Sequence, residues 1–170
     1  YKKSLLNLVD TNLDFFTRFV ARMLNDLTFL LDEAFTSLVE VHDCYVEIQK
    51  RKRGESSSND EEESFEKLKA RFLNAGSKAK SSCGLANKSM ILFKIFTRDV
   101  APAFTIPEIV DRLASMLNFN LKILVGPKCN NLIVKNPEKY SFEPKKLLKN
   151  LCSIYINLSN EENFILAVSK

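Results

Sequence analysis

The sequence predicts an all-α chain of about six helices, stacked in pairs, and three observations carry that expectation. Apolar residues recur at three- and four-residue steps over most of the 170 residues, the spacing that lines one face of a helix. The longest such block, from about Asn12 to Arg51, contains no Gly or Pro. No stretch alternates apolar and polar residues well enough to suggest a sheet.

The longest block begins near Asn12. Phe16, Phe19, Val20, Met23, Leu24, Leu27, Leu30, Leu31, Ala34, Leu38, Val41, Tyr45 and Ile48 predict one helix reaching about Arg51. A pattern longer than about 25 residues suggests a coiled coil, a membrane span or a helical repeat. Arg18, Arg22, Asp26, Asp32 and Glu33 interrupt the run and argue against a membrane span. The stripe is also wider than a coiled-coil seam, which leaves a helical repeat.

Residues 51–63, "RKRGESSSNDEEE", are poor in apolar side chains and read as a flexible polar connector. An amphipathic helix follows through Phe65, Leu68, Phe72 and Leu73, then a break at "SSCGLANK", then a short apolar helix, "SMILFKIFTRDVA", ending before Pro102. Thr105 and Glu108 form an expected capping box for the next helix, with Pro107 in its first turn. Ile109, Val110, Leu113, Met116, Leu117, Leu121, Leu124 and Val125 are its expected buried stripe.

Gly126-Pro127-Lys128 raises a choice between a phosphate-gripping loop and a helix stop. A phosphate loop needs its glycine turn after a strand and before a helix; here the turn follows a helix. Gly126 is therefore expected as a left-handed terminating residue, and Pro127 as a residue that cannot continue the helix. "NNLIVKNPEKYSFEP" is irregular, with a short extended piece at 132–135. A helix starts again at Pro144 and buries Leu147, Leu148, Leu151, Ile154, Tyr155 and Leu158. Ser159 and Glu162 form a second expected capping box, opening a last helix with Phe164, Ile165 and Val168.

Composition narrows the function. Hydrophobic residues at 45% and charged residues at 27% are ordinary for a globular chain. No apolar run approaches the roughly 18 residues of a membrane span. The start lacks an apolar signal region, and the chain reads as a segment of a longer protein. A net charge of +4 is too modest to argue for nucleic acid. The basic "KRKR" at 50–53 and the acidic "DEEE" at 60–63 read as a solvated loop, with a nuclear-import signal as the alternative. Cys44, Cys83, Cys129 and Cys152 are too scattered for a zinc or redox motif; Cys44 and Cys152 read as small buried hydrophobes. His42 lies near the apolar stripe without a nucleophile motif and reads as a partly exposed structural residue. Asp32–Glu33 and Glu161–Glu162 are adjacent pairs that point apart along helices. No catalytic, cofactor-binding or metal-binding residues are expected.

Two segments resemble a known family. "FVARMLNDLTFLLDEAFTSLVEVHD" (19–43) is similar to the "ND-x-x-FLLDE" helix of the ubiquitin conjugation factor E4 family, the U-box ligases that lengthen ubiquitin chains. Residues 112–170 carry "MLN", "LVGPK", "Y-x-F-x-P", "IY-x-NL" and "EENF" in the order that family has them; residues 50–100 diverge. The resemblance implies that residues 1–170 are the C-terminal part of an elongated, armadillo-like α-solenoid core, with a U-box following after 170. It implies a scaffold for a ligase that extends chains for proteasomal degradation and holds no covalent intermediate. The partners implied are ubiquitylated substrates, the valosin-containing AAA ATPase, and a ubiquitin-conjugating enzyme met only through the U-box. It implies a monomer in cytoplasm and nucleus, with no nucleic acid or membrane partner. The family-motif positions are Leu30, Leu31, Asp32, Glu33, Gly126, Pro127, Lys128, Tyr155, Glu161, Glu162, Asn163 and Phe164. Most have structural readings; Lys128, after a helix stop, is the one expected to be exposed for a partner. The competing reading is a free-standing helical-repeat adaptor in trafficking or nuclear transport.

Overall fold

A computed structural model of the chain describes residues 3, 4, 7, 11–54 and 64–170. From Leu13 onward it contains five α-helices: α1 (Leu13–Lys52), α2 (Phe65–Asp99), α3 (Pro107–Val125), α4 (Pro144–Leu158) and α5 (Glu162–Val168). Three 3-10 turns, Ala101–Phe104, Pro127–Leu132 and Pro137–Tyr140, join them. No strand occurs among the described residues, and the chain is all-α.

α1 is the rod that the periodicity predicts, 40 residues and about 60 Å long at 1.5 Å per residue. Phe16, Val20, Leu24, Leu27, Leu31, Leu38 and Val41 are buried along it. It runs to Lys52, so "KRKR" is its last turn and C-cap rather than a loop. Cationic side chains there complement the partial negative charge of a helix C-terminus. Gly54 follows with φ +72°, the left-handed value that favours glycine. The rest of the predicted connector, 55–63, lies outside the described residues.

α2 corrects the sequence reading most. The expected break at "SSCGLANK" is absent, and one helix of 35 residues runs through it, capped by the Ser64 hydroxyl accepting from the Lys67 N–H at 3.3 Å. Ser82, Cys83 and Ala86 are buried in this stretch, and Ala75 and Ala79 before it. Small residues that look like a weak helix are in fact a narrow packing face, and packing outweighs propensity. Leu73 and Val125, expected in buried stripes, are exposed.

The helices form two pairs. α1 and α2 are antiparallel: Phe19 meets Phe96 at one end (ring centroids 6.4 Å apart), and Arg71 meets Glu40 toward the other at 3.4 Å. α4 runs alongside α2 in the same direction, with Asn87 donating to the Ser141 carbonyl, Lys94 to Asn150 Oδ1 and Asn157 to the Lys94 carbonyl. α3 runs beside α1, also in the same direction: Arg112 bonds Asn25, while Ile123 lies near Phe35 and Val39. The pair α1–α2 thus stacks on the pair α3–α4, an arrangement consistent with an α-solenoid. Phe104, fully buried, stands edge-on to Phe16 and Phe93 at centroid distances of 6.1 and 5.9 Å and fixes the link between the pairs.

Neither expected capping box forms. The N-cap of α3 is Ile106 and that of α5 is Glu161, neither with a side-chain cap. Thr105 gives its hydroxyl to the Pro102 carbonyl and to Glu161 instead, and Ser159 gives its hydroxyl to the Ile156 carbonyl. The short extended piece expected at 132–135 is the end of a 3-10 turn followed by coil.

Gly126 does stop α3, but not through a left-handed conformation: its φ is −87° and ψ −179°. The left-handed residues near it are Asn136 and Ser141, on either side of the Pro137–Tyr140 turn. Glycine is needed at 126 because the chain folds tightly back on α3. A Cβ there would lie 2.4 Å from the Lys122 carbonyl oxygen, which already accepts the Gly126 N–H at 2.9 Å. Gly126→Ala should lower stability by about 1–3 kcal/mol, the usual cost of forcing an extra group into a packed place. Gly126→Asn should be no better, whereas asparagine would partly rescue a left-handed site; thermal melts of both variants decide. Gly84, mid-helix with nothing within 4 Å of an added Cβ, predicts the opposite. Gly84→Ala should raise stability by up to about 1 kcal/mol, read as a higher melting temperature.

Candidate functional site

The predicted motif positions divide between two places. Leu31 is buried and Leu30 packs against the core, whereas Asp32 is exposed and Glu33 half-buried. Gly126 is half-buried and Pro127 exposed; the Lys128 side chain lies outside the described part of the structure.

Tyr155, Glu161, Asn163 and Phe164, by contrast, gather where α3, α4 and α5 meet. The Tyr155 hydroxyl donates to Asn118 Oδ1 at 2.6 Å, and its ring packs on Phe164 at 5.8 Å. Burial, then the neighbouring Cys152, pushes the Tyr155 hydroxyl above the usual tyrosine range, so it stays a donor. Asn163 donates to the Thr105 carbonyl at 3.0 Å while Glu161 accepts from the Thr105 hydroxyl at 3.3 Å. Glu162 is exposed. This cluster locks α5 against the start of α3, and its polar groups are spent on one another.

A groove of about 820 Å³ lies between α1 and α3. Asn25, Thr28, Phe29 and Asp32 recur at helical spacing along the α1 wall; Asp111, Arg112, Ser115 and Phe119 do so along the α3 wall. The buried side chains of Leu24, Met116 and Asn120 also line it. Phe29 and Phe119 are 65% and 52% exposed. Arg112 is held by Asn25 and Asp111 by Lys170, the latter at 2.7 Å. Asn120 Nδ2 donates to the Met116 carbonyl at 2.7 Å, but its buried Oδ1 has no partner among the described residues.

Of the groove residues, Asp32 is one of the motif positions named above, and Asn25, Phe29 and Met116 fall inside the quoted "ND-x-x-FLLDE" and "MLN" words. A further signal exists. Asn120 interrupts the stripe of Leu113, Met116, Leu117 and Leu124, where an apolar residue would be expected, and Phe29 falls off the stripe set by Leu24, Leu27 and Leu31.

His42 is half-buried, its Nδ1 paired with the Ile133 carbonyl at 2.6 Å, a bond that ties α1 to the coil after α3. The cysteines sort differently from expectation. Cys44 is buried, but Cys152 is exposed and Cys83, not Cys152, is the second buried thiol. Among the described residues no three His, Cys, Asp or Glu side chains converge as a metal would require, and no described helix is long and apolar enough to cross a membrane.

All 170 residues match the sequence model of one family, the ubiquitin elongating factor core. The chain belongs to that family. The match includes the 50–100 region, where the quoted motifs are silent. Among curated relatives, the chain is 56% identical to the E4 ubiquitin-protein ligase UFD2 of Saccharomyces cerevisiae, across its whole length and 18% of that protein. It is 45% identical over 94% of its length to ubiquitin conjugation factor E4 of Schizosaccharomyces pombe, and 35% identical over 96% to ubiquitin conjugation factor E4 A of Rattus norvegicus; each alignment covers 15% of the relative. The chain therefore spans less than a fifth of these proteins.

Burial pushes the Cys83 thiol up to about 12 from its ordinary 9.0. The folded protein holds it protonated where the unfolded chain would ionise it. Its contribution to stability is thus complete below pH 9 and is lost as pH rises toward 12. Since the thiolate is the nucleophile, a colorimetric thiol reagent at pH 8 should modify Cys152 and Cys129 first. Cys44 and Cys83 should react only when the protein unfolds; rapid labelling of Cys83 in the native state would contradict the packing of α2.

Proposed function

We propose that this chain is a scaffold segment of a U-box ubiquitin-protein ligase, one that extends ubiquitin chains on substrates bound for the proteasome. The observation that carries the reading is identity of 56% along the full chain to a protein named an E4 ubiquitin-protein ligase. The ligase chemistry belongs to the U-box, which positions the charged conjugating enzyme so that a lysine can attack. The segment's task is geometric. Two stacked helix pairs, pinned at Phe104 and along α2–α4, hold partners at a set distance from the U-box and so raise their effective concentration there. Ubiquitylated substrates and the valosin-containing AAA ATPase are the partners in this reading, and the protein works as a monomer in cytoplasm and nucleus.

The test separates chemistry from geometry in the full-length parent protein. Phe104→Asp puts a charge in the centre of the aromatic cluster and should break the stack. Discharge of the charged conjugating enzyme onto free lysine should stay near wild type, because the U-box performs it. Chain growth on a mono-ubiquitylated substrate should fall at least tenfold. The 170-residue chain alone should elongate nothing. Unchanged chain length in the variant, or elongation by the chain alone, would overturn the scaffold reading.

A further inference from the structure

A pocket of about 120 Å³ lies where the chain after α3 crosses α1 and α2. Val41, Phe72 and Tyr140 give it apolar lining, His42 and Tyr45 stand on its α1 side, and Lys135 and Lys139 come from the crossing segment. The His42–Ile133 bond, at 2.6 Å, holds that segment against α1. Asn136, at φ 57°, turns the chain, and the Lys139 N–H donates to the Asn136 carbonyl at 3.0 Å. Lysines on either side of the turn therefore reach one pocket. No Asp or Glu among the described residues lines it, although Asp43 and Glu138 are neighbours in sequence. Both lysines are exposed, and neither has an ion pair among the described residues; Lys139 rests over the Tyr140 ring at 5.9 Å. A concave site of one charge sign with apolar walls focuses its field and concentrates the opposite charge.

We propose that this pocket takes a glutamate or aspartate side chain from an acidic segment of a partner protein, its carboxylate between Lys135 and Lys139 and its stem against Val41, Phe72 and Tyr140. Charge complementarity selects the ligand class: two ammonium groups repel each other until an anion enters between them. Size narrows it, because the pocket is about four times the ~30 Å³ that a water takes in the liquid. That is room for one side chain and not for a helix or a nucleotide. The apolar lining narrows it again. A free phosphate would leave that lining bare, whereas the methylenes of a glutamate cover it. Ile133, 64% exposed at the pocket rim, offers an apolar surface to the residues that flank the acid. This docking does not depend on the ligase reading, because its measurement is binding rather than chain growth.

The probe is a fluorescein-labelled octapeptide with one central glutamate flanked by leucines, titrated with the full-length parent protein by anisotropy. Changing both lysines, Lys135→Glu with Lys139→Glu, should weaken binding about tenfold or more. The melting temperature should stay put, since both side chains are exposed. Glutamine in place of the peptide's glutamate should cost as much, and raising salt from about 50 to about 300 mM should weaken wild-type binding several-fold. Ile133→Ser should weaken it less, through the flanking leucines. A zero-length carbodiimide should join the bound peptide to Lys135 or Lys139, read by mass spectrometry. Wild-type affinity in the double-lysine variant would overturn the proposal. So would equal affinity for the glutamine peptide, or cross-links spread evenly over distant lysines such as Lys78 and Lys88. Two results would overturn it in favour of another occupant. A phosphoserine peptide bound about tenfold tighter would assign the pocket to phosphorylated partners. Binding absent in the wild type but gained once Asp60, Glu61, Glu62 and Glu63 are changed to their amides would assign it to the chain's own acidic run.

Discussion

The structure depends on α2 being thin. This helix packs against α1 and, over its C-terminal half, against α4, and its buried side chains are small from Ala75 to Ala86. Ala75, Ala79, Ser82, Cys83 and Ala86 are buried, and a Cβ added at Gly76 would come within 3.1 Å of the Tyr140 ring. Larger residues here would push the helix axes apart, and close-packed interiors absorb such changes poorly. Toward its C-terminal end α2 turns to bulk, with Met90 and Phe93 fully buried. There the space between the pairs is filled by Phe16, Phe93 and Phe104. One end of the stack is thus set by close approach and the other by aromatic filling.

Polar groups then fix the register that apolar packing leaves loose. Thr97 is buried, bonds back to the Phe93 carbonyl and receives Asn157 Nδ2 from α4 at 3.1 Å. Lys94 reaches Asn150 at 3.0 Å, and Asn118 takes the Tyr155 hydroxyl while donating to the Val168 carbonyl. Side-chain amides recur at these junctions because one amide offers both donors and an acceptor. The "IY-x-NL" and "EENF" words are legible in this light: their asparagines and tyrosine tie separate helices together. Asn120 differs: its Nδ2 donates within α3 to the Met116 carbonyl, and its Oδ1 has no partner among the described residues.

Much of this was legible in the residues. α1, α3 and α4 follow apolar periodicity nearly to their ends, since a wide buried stripe needs side chains at three- and four-residue steps. Part of what stayed hidden has a common cause: local rules lost to partners distant in sequence. Small residues at 81–88 look like a break until the structure buries Ser82, Cys83 and Ala86. Thr105 and Ser159 match capping-box spacing, yet Thr105 serves Glu161, 56 residues away. Gly126 ends a helix as expected, but a carbonyl one turn back, rather than a left-handed backbone, excludes its side chain. The groove was the hardest part to see, because Phe29 and Phe119 sit among apolar neighbours and only the helix phase shows that they face outward.

α5 has a consequence of its own. Its seven residues are too few to hold a helix by backbone bonds alone, so its order is borrowed from contacts around Thr105, Asn118 and Tyr155. Weakening those contacts removes the helix as a unit. Its amide protons therefore exchange with solvent earlier than those of α1 or α2, in openings that leave the Phe104 cluster intact. The chain thus has a soft margin on a hard frame, and the direction in which the polypeptide leaves that margin is set by a handful of side-chain bonds rather than by the core.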